Sequence, residues 1–372
     1  MRNRLLTACG IAILLALSSI PVVYPTYNWD ALGYLGNVYL LDGMSLATAH
    51  AKVYAEAEGV KDPEARVRLL TDPDAAVRAR DPNSFAQYLP FYSIRPAYIG
   101  AAYLFYKAGV PPFRSLMLIS SISYFFIGMI VFSWIRRYVS HGKAWAVTLL
   151  IMLPFLRIAR EATPDKMSCA VLLLACYMIA EQKAYWQGIV LLLAALLVRT
   201  DNVLVLAAMV CFLWLSKQVK TIPAAAACAG GAAIVLLLNH FSGTFGWKFL
   251  IQQYFYGPFP YPVAMTPHLT AAMYSHALTS SSLLVLKKDW YLLAALVVVL
   301  ALRGPLHTLL LVVLTASAFH FLLFPSIEFR YYLLSIVVAA IAGVLTWADR
   351  GSQAENAHAM QSALAPGEVL KL

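Results

Sequence analysis

The stretch that decides the fold is SLMLISSISYFFIGMIVFSWI, residues 115–135, which carries no charged side chain. A helix needs about 20 apolar residues to cross the hydrocarbon core of a bilayer, and this run has that length. In the whole chain of 372 residues, 61% are hydrophobic and 12% are charged, about half of the roughly 25% that soluble domains carry. A soluble core could not enclose so much apolar surface. The chain is therefore predicted to be an all-α polytopic membrane protein.

The same kind of run recurs along the chain and predicts about ten transmembrane helices. The charge-free runs are Leu5–Tyr24, Ser115–Ile135, Ala144–Leu156, Met167–Ala180, Ala184–Val198, Asn202–Ser216, Thr221–Trp247, Trp290–Leu302, Gly304–Ile327 and Tyr331–Ala348. We expect the first run to be a retained helix with its N-terminus inside. The predicted organisation is a single transmembrane domain over residues 1–350 and a short cytoplasmic tail at residues 351–372.

Basic side chains support this arrangement, because nearly all isolated Lys and Arg clusters then fall in short inner loops, as the positive-inside bias requires. The outer side has a first loop at residues 25–112 and a second long loop at residues 241–289. Residues 95–106 are predicted to form a helix lying on or dipping into the outer face. Merging residues 184–216 into one span is disfavoured, because it would put two charges in mid-membrane.

A local repeat in the first outer loop begins with Asp62-Pro63, Asp72-Pro73-Asp74 and Asp81-Pro82. Asp72-Pro73-Asp74 matches the D-x-D pattern of metal-dependent sugar transferases. Asp followed by Pro is also the ordinary start of a helix, and we favour that interpretation, which predicts short amphipathic surface helices. No metal site is predicted, and the five cysteines all lie in apolar runs. The net charge is +10, but the basic residues form no dense run, so nucleic acid is not an expected partner.

Charged side chains collect at the helix ends that the topology places outside. Trp29 and Asp30 follow the first helix, and Asp30 could cap the next helix, act as a catalytic acid or base, or do both. Arg95 lies among aromatic residues, where it could snorkel to the surface or bind a phosphate. The remaining candidates at these ends are Arg160, Glu161, Asp165, Arg199, Asp201, Glu328 and Arg330, and Tyr256 belongs to the aromatic second loop. Carboxylates and arginines that converge at membrane level suit proton transfer and a lipid-linked phosphate.

The order of these turns resembles the GT-C superfamily of integral-membrane glycosyltransferases. The similar stretches are Asp30 after the first helix, residues 160–165 (REATPD), residues 196–204 (LLVRTDNVL) and residues 328–334 (EFRYYLL). The resemblance covers most of the chain from Leu5 to Trp347. It implies transfer of a sugar, with inversion, from a polyprenyl-phosphate donor to an acceptor on the outer face of what we expect to be the bacterial inner membrane. The acceptor would be a lipid-linked glycan, a glycolipid or a protein.

The resemblance also implies roles for individual residues. Asp30 would be the general base, and Arg199 and Arg330 would bind the donor phosphate with Arg95 as a mobile third ligand. Asp165 would be a second catalytic group, or would merely hold an arginine or orient the acceptor. A divalent cofactor is not supported, because Asp165 has no second acid beside it. A transporter or flippase-like binder of a lipid-linked glycan or other amphiphile is the alternative function. A membrane acyltransferase is disfavoured, because we expect no buried His–Asp pair.

Overall fold

The computed structural model describes residues 2–257, 259–288, 290–301 and 303–364. In this part of the chain the backbone forms α-helices and short 3₁₀ turns without β-strands, apart from one isolated bridge between Thr26 and Glu161. In chain order the helices are α1 Arg2–Val23, α2 Asp30–Leu41, α3 Leu46–Glu58, α4 Pro63–Thr71, α5 Pro73–Arg80, α6 Pro82–Tyr88, α7 Pro90–Ser93, α8 Pro96–Lys107, α9 Pro112–Ile135, α10 His141–Ala159, α11 Asp165–Ala180, α12 Tyr185–Ala195, α13 Val203–Leu215, α14 Thr221–Ser242, α15 Trp247–Tyr256, α16 Ala271–Lys288, α17 Trp290–Ala301, α18 His307–Leu323 and α19 Leu333–Leu364. The predicted all-α fold class is confirmed.

All ten apolar runs of the sequence correspond to helices. Within the described residues, five segments are long and apolar enough to cross a membrane, namely α1, α9, α10, α14 and Phe329–Gly351, which includes the start of α19. Four shorter apolar segments coincide wholly or largely with α12, α13, α17 and α18. The protein is therefore an α-helical membrane protein by length and composition, and the count of ten crossings stays a prediction.

The apolar helices pack into one bundle whose core runs from Leu14 on α1 to Leu345 on α19. Glycine allows two of its helices to approach closely, as is common in membrane bundles. Gly10 on α1 faces the ring of Trp145 on α10, and Trp145 is stacked on Phe132 with ring centroids 3.9 Å apart. This aromatic pair fixes the distance between α1 and its neighbours.

The first outer loop is a compact helical unit with a second apolar core of its own, which includes Leu35, Val53 and Tyr98. Six consecutive helices, α4 to α9, begin at a proline, whose fixed φ and missing N–H suit the first helical position. Asp62 and Asp81 accept hydrogen bonds from the Glu64 and Asn83 amides at 3.1 and 2.9 Å. The Asp-Pro repeat therefore starts helices, as predicted, and α8 occupies most of the predicted helix at residues 95–106.

The second long loop is more regular than the sequence indicated, because α15 and α16 lie within residues 241–289. Its aromatic segment packs on the first outer loop through hydrogen bonds. The Tyr88 hydroxyl donates to the Phe259 carbonyl at 2.6 Å, and the Tyr261 hydroxyl donates to Asp81 at 2.7 Å. The two outer loops thus meet, as their predicted placement on one side requires.

Contacts between distant helix ends agree with the predicted alternation of sides. On the outer side, the Arg160 side chain donates to the Tyr24 carbonyl at 2.6 Å. On the inner side, Thr7 lies 2.6 Å from the His141 ring, and Trp134 donates to Glu181 at 2.7 Å. Which end faces the cytoplasm stays a prediction.

The inner turns contain a repeated backbone feature. Among the described residues, the non-glycine residues with positive φ are Lys183, Lys217 and Arg303, at 55°, 59° and 49°. Each follows the C-terminal end of an apolar helix, where a cation is favoured by the helix dipole, and Lys183 donates to the Ala180 carbonyl at 2.6 Å. Basic residues therefore follow the ends of these helices, and their role in setting orientation stays a prediction.

The C-terminal segment is helical beyond the predicted end of the last span, since α19 runs to Leu364. Residues 365–372 of the predicted tail lie outside the described residues.

Replacing Gly10 by Ala should lower the stability of the bundle by about 1–3 kcal/mol, the usual range for overpacking a core. A Cβ at Gly10 would lie 2.2 Å from a Trp145 ring carbon. Gly230 on α14 is the matched control, because a Cβ there meets nothing within 4 Å, and Ala should raise helix stability by up to about 1 kcal/mol. Thermal unfolding in detergent measures both variants. Equal melting temperatures for the two variants would contradict this packing.

Candidate functional site

A cavity of about 430 Å³ opens at the outer end of the bundle, between the first outer loop, the second outer loop and the helix ends. It is lined by five of the charged residues singled out in the sequence: Asp30, Arg95, Asp165, Arg199 and Arg330. They come from five separate parts of the chain, so the topology has brought them together. Arg160, Glu161, Asp201 and Glu328, which the sequence predicts to converge with them, do not line this cavity.

Asp30 is the first residue of α2 and points into this cavity. Its carboxylate accepts a hydrogen bond from Arg330 Nη1 at 2.7 Å and a long one from the Tyr92 hydroxyl at 3.4 Å. Asn28, not Asp30, caps the start of α2, because its side-chain oxygen accepts a hydrogen bond from the Ala31 amide at 3.3 Å. The carboxylate of Asp30 is therefore available for chemistry in the cavity.

The surroundings of Asp30 favour its ionised form. Burial by itself opposes ionisation, but the charge of Arg330, the hydrogen bond from Arg330 and the charge of Arg95 outweigh burial and lower the pKa of Asp30 below the ordinary value of 3.8. Asp30 is thus a carboxylate at neutral pH, the form that a general base requires.

Arg330 is held by two carboxylates. Besides the bond to Asp30, its Nε lies 2.5 Å from Glu328 Oε2 as an ion pair. Glu328 also accepts from the Tyr254 hydroxyl at 3.1 Å. Arg330 therefore links α2 to the turn before α19 and to the second outer loop.

Arg95 is fixed rather than mobile, which corrects the expectation from the sequence. Its Nη1 donates to the Tyr34 hydroxyl at 2.7 Å and to the Phe91 carbonyl at 3.1 Å. Within the described part of the chain, no carboxylate lies within ion-pair distance of Arg95. Arg95 is therefore the cavity arginine whose charge is not neutralised by direct contact with an acid.

Arg199 is the most strongly bound of the three arginines. It forms an ion pair with Asp165 and a two-pronged contact with Asp201, at 2.9 Å from Nε and 2.6 Å from Nη2. Asp165 is only 4% exposed and Arg199 only 8%. Asp165 therefore holds an arginine, and its carboxylate is occupied by that contact in this structure.

A His–Asp pair lies beside this network, but it is not buried, because the side chains of His320 and Asp201 are 14% and 32% exposed. His320 Nδ1 lies 3.4 Å from Asp201 Oδ2. His320 is a polar residue within an otherwise apolar helix, which is itself a signal of function or of a buried contact. Because Asp201 is already bound by both prongs of Arg199, its carboxylate is shared between Arg199 and the His320 ring.

The polar cavity continues into the bundle. A small cavity of about 50 Å³ shares Asp165, Arg199 and Arg330 with it and is also lined by Ser317 and Ser335. These two serines in turn line an apolar cavity of about 780 Å³ between α16, α17, α18 and α19. The small polar cavity and the apolar cavity are thus neighbours that share Ser317 and Ser335, whose hydroxyls are hydrogen-bonded to each other.

The remaining predicted residues divide into two groups. Trp29 lines the cavity and its ring lies 3.6 Å from the guanidinium of Arg78. Arg160 and Glu161 lie outside the cavity lining and join the end of α1 to the turn before α11. Tyr256 also lies outside it.

Tyr256 donates to the Met273 carbonyl at 2.7 Å and so joins α15 to α16.

The sequence gave no clear signal for several residues of the site. Tyr34, Tyr92 and Tyr254 line the cavity and bond to its charged groups, but they are ordinary aromatics in an aromatic-rich chain. Lys166 stands next to Asp165 and is 1% exposed, with its ammonium bonded to the Glu161 carbonyl at 2.6 Å. Nothing in the local pattern separates such residues from packing residues.

The chain was compared with protein-family models, with curated proteins and with solved structures, and it matches none of them. Among the described residues, no group of three or more His, Cys, Asp or Glu side chains could hold a metal ion. The chemistry of the site must therefore be argued from its own geometry.

Removing Arg199 should destabilise the protein by about 3–5 kcal/mol, the range for leaving a buried charge without its partner. Arg199→Ala would leave Asp165 and Asp201 without their arginine partner. Adding Asp165→Asn removes one of these two charges and should recover part of the lost stability. The melting temperatures of the wild type, single and double variants in detergent measure the effect. A double variant no more stable than Arg199→Ala would show that Asp165 is not the partner that matters.

Proposed function

We propose that the protein is a membrane glycosyltransferase that moves a sugar from a polyprenyl-phosphate donor to an acceptor hydroxyl on the outer face. The observation that carries the proposal is the single cavity lined by Asp30, Arg95 and Arg330. It combines a carboxylate in its basic form with guanidinium groups suited to a phosphate. The order of sequence motifs that resembles the GT-C superfamily supports the same reaction.

The donor phosphate would bind to Arg95 and Arg330. Arg95 offers a charge without an acidic partner, and Tyr34 and Phe91 hold it in place. Arg330 can exchange one of its two carboxylate contacts for a phosphate oxygen. Arg199 is less available, because carboxylates occupy all three of its guanidinium nitrogens, whereas among the described residues Arg330 Nη2 contacts only the Tyr331 hydroxyl, at 3.4 Å. The structure thus supports a different arginine pair from the one the sequence predicted.

The lipid chain of the donor would extend toward the apolar cavity between α16 and α19. That cavity is about 780 Å³ in volume, large enough for part of an isoprenoid chain, within the usual range of ligand pockets of about 300–1,000 Å³. Ser317 and Ser335 line both this cavity and the small polar cavity that Arg330 also lines. An amphiphile with an anionic head group and an apolar tail fits a polar cavity that has an apolar cavity as its neighbour.

The transfer step is a displacement at the anomeric carbon. The acceptor hydroxyl forms the new C–O bond, the bond from the anomeric carbon to the phosphate oxygen breaks, and the configuration inverts. Asp30 takes the hydroxyl proton, and the leaving phosphate keeps the bonding electrons while Arg95 and Arg330 stabilise its charge. When phosphate draws Arg330 away from Asp30, the carboxylate becomes more basic at the step that needs a base.

Asp30→Asn should reduce turnover by about 10²–10⁴ while donor binding persists, because the amide cannot accept the proton. Asp42→Asn is the matched control. Asp42 ends the same helix and pairs with Lys107 at 2.8 Å outside the cavity, so its removal should leave turnover close to the wild type. A reconstituted assay with lipid-linked donor measures both. Wild-type turnover in Asp30→Asn would exclude Asp30 as the base.

Arg330→Gln should act on both binding and pH dependence. Losing a charge-assisted phosphate contact weakens donor affinity by one to two decades, equivalent to about 1.5–3 kcal/mol. Without Arg330, burial is opposed by fewer positive charges, so the pKa of Asp30 rises. The acidic limb of kcat/KM should then move to higher pH than in the wild type, where Arg330 lowers the pKa of Asp30. An unmoved limb would mean that Asp30 does not control the rate.

A transporter of lipid-linked glycans is the alternative, and the neighbouring polar and apolar cavities would suit it too. The two functions differ in what Asp30→Asn does. A transporter should still move labelled donor across a vesicle bilayer in this variant and should form no glycosylated product in the wild type.

A further inference from the structure

A second large cavity lies on the other side of the first outer unit. It has a volume of about 720 Å³ and is formed where α2, α3, the end of α8 and the start of α9 meet the segment after α1. Its chemically distinctive lining residues are Tyr27, Tyr39, Lys52, Glu56, Tyr106 and Arg114. None of its lining residues lines the cavity that contains Asp30.

The charged groups of this cavity are not paired with one another. Lys52 and Glu56 stand one turn apart on α3, a spacing that often forms an ion pair. In the described residues, however, no acid lies within 4.0 Å of Lys52 or Arg114, and no cation lies within 4.0 Å of Glu56. Lys52 and Arg114, both exposed, and the half-buried Glu56 therefore line the same cavity without ion-pair partners, and the Lys52 ammonium lies 5.7 Å from the centre of the Tyr39 ring.

Aromatic rings form the walls between these charges. Tyr27 meets Phe113 edge to face at 5.2 Å, and Tyr39 meets Tyr106 edge to face at 5.8 Å. Aromatic faces attract cations. Burial raises the pKa of Glu56, so its carboxylate would be stabilised by a cationic ligand.

The position of the cavity connects it to the membrane surface. It lies where two candidate membrane spans leave the bundle, because α1 ends at Val23 and α9 begins at Pro112. Val23 and Tyr24 are 61% and 65% exposed, as expected for side chains that face lipid. A ligand anchored in the outer leaflet could reach the cavity without leaving the bilayer.

We propose that this cavity binds the head group of an amine-bearing zwitterionic phospholipid. Lys52 and Arg114 contact the phosphate, and Glu56 with the tyrosine rings contacts the ammonium group. Both charges of the head group meet opposite charges that form no ion pair among the described residues. The proposal stands apart from glycosyl transfer, since the two cavities have no lining residue in common.

The test is lipid retention by the full chain, measured by native mass spectrometry in detergent. The protein is incubated with equal amounts of phosphatidylethanolamine and phosphatidylglycerol of the same acyl composition. We expect the wild type to retain phosphatidylethanolamine in clear excess. Glu56→Gln should reduce this preference about tenfold, the effect of one lost charge contact. Glu58→Gln is the matched control, because Glu58 lies on the same helix, is exposed and does not line the cavity.

A second pair of variants tests the phosphate contact. Arg114→Ala should reduce retention of both lipids, whereas Lys61→Ala, an exposed lysine outside the cavity lining, should retain them as the wild type does. Equal lipid preference in Glu56→Gln and Glu58→Gln would overturn the proposal. So would displacement of phosphatidylethanolamine by excess inorganic phosphate alone, because the cavity would then be a site for free phosphate.

Discussion

The ion pair between Arg330 and Asp30 is the contact on which the arrangement of the site depends. It joins side chains 300 positions apart in the sequence, at 2.7 Å, and so connects the first outer loop to the turn before the last helix. Arg330 is also paired with Glu328, which contacts the second outer loop through Tyr254. The positions of the outer loops around the cavity are thus coupled to one guanidinium group.

Charge balance explains how such a site can exist beside a membrane. Three arginines, Arg95, Arg199 and Arg330, lie near four carboxylates, Asp30, Asp165, Asp201 and Glu328. Buried charges need partners, because desolvation of an unpaired ion costs several kcal/mol. The pairing is uneven, however. Arg199 is saturated by acids, whereas Arg95 is held by neutral groups, and this difference separates a structural arginine from one that is free to bind an anion.

The same contrast between matched and unmatched charge appears in the first outer unit. Its Asp-Pro steps start helices, and its apolar residues form a core of their own, separate from that of the bundle. Charged side chains of this unit that have no acidic or basic partner among the described residues line two separate cavities. One faces the helix ends and contains Asp30, and the other opens near the ends of α1 and α9. The outer unit thus both covers the bundle and presents charged groups at membrane level.

The sequence by itself determined the helical membrane class and the positions of the ten apolar runs that form helices, and it put Asp30, Arg95, Asp165, Arg199 and Arg330 at helix ends. The reason is that hydrophobic runs and Asp-Pro starts act locally and charges are excluded from lipid. Only the tertiary structure decided which arginine meets which acid. It paired Arg199 with Asp165 and Asp201, left Arg95 without an acid, and put His320 beside Asp201. The physical reason is that pairing depends on distances of a few ångströms between distant segments, and no local pattern contains that information.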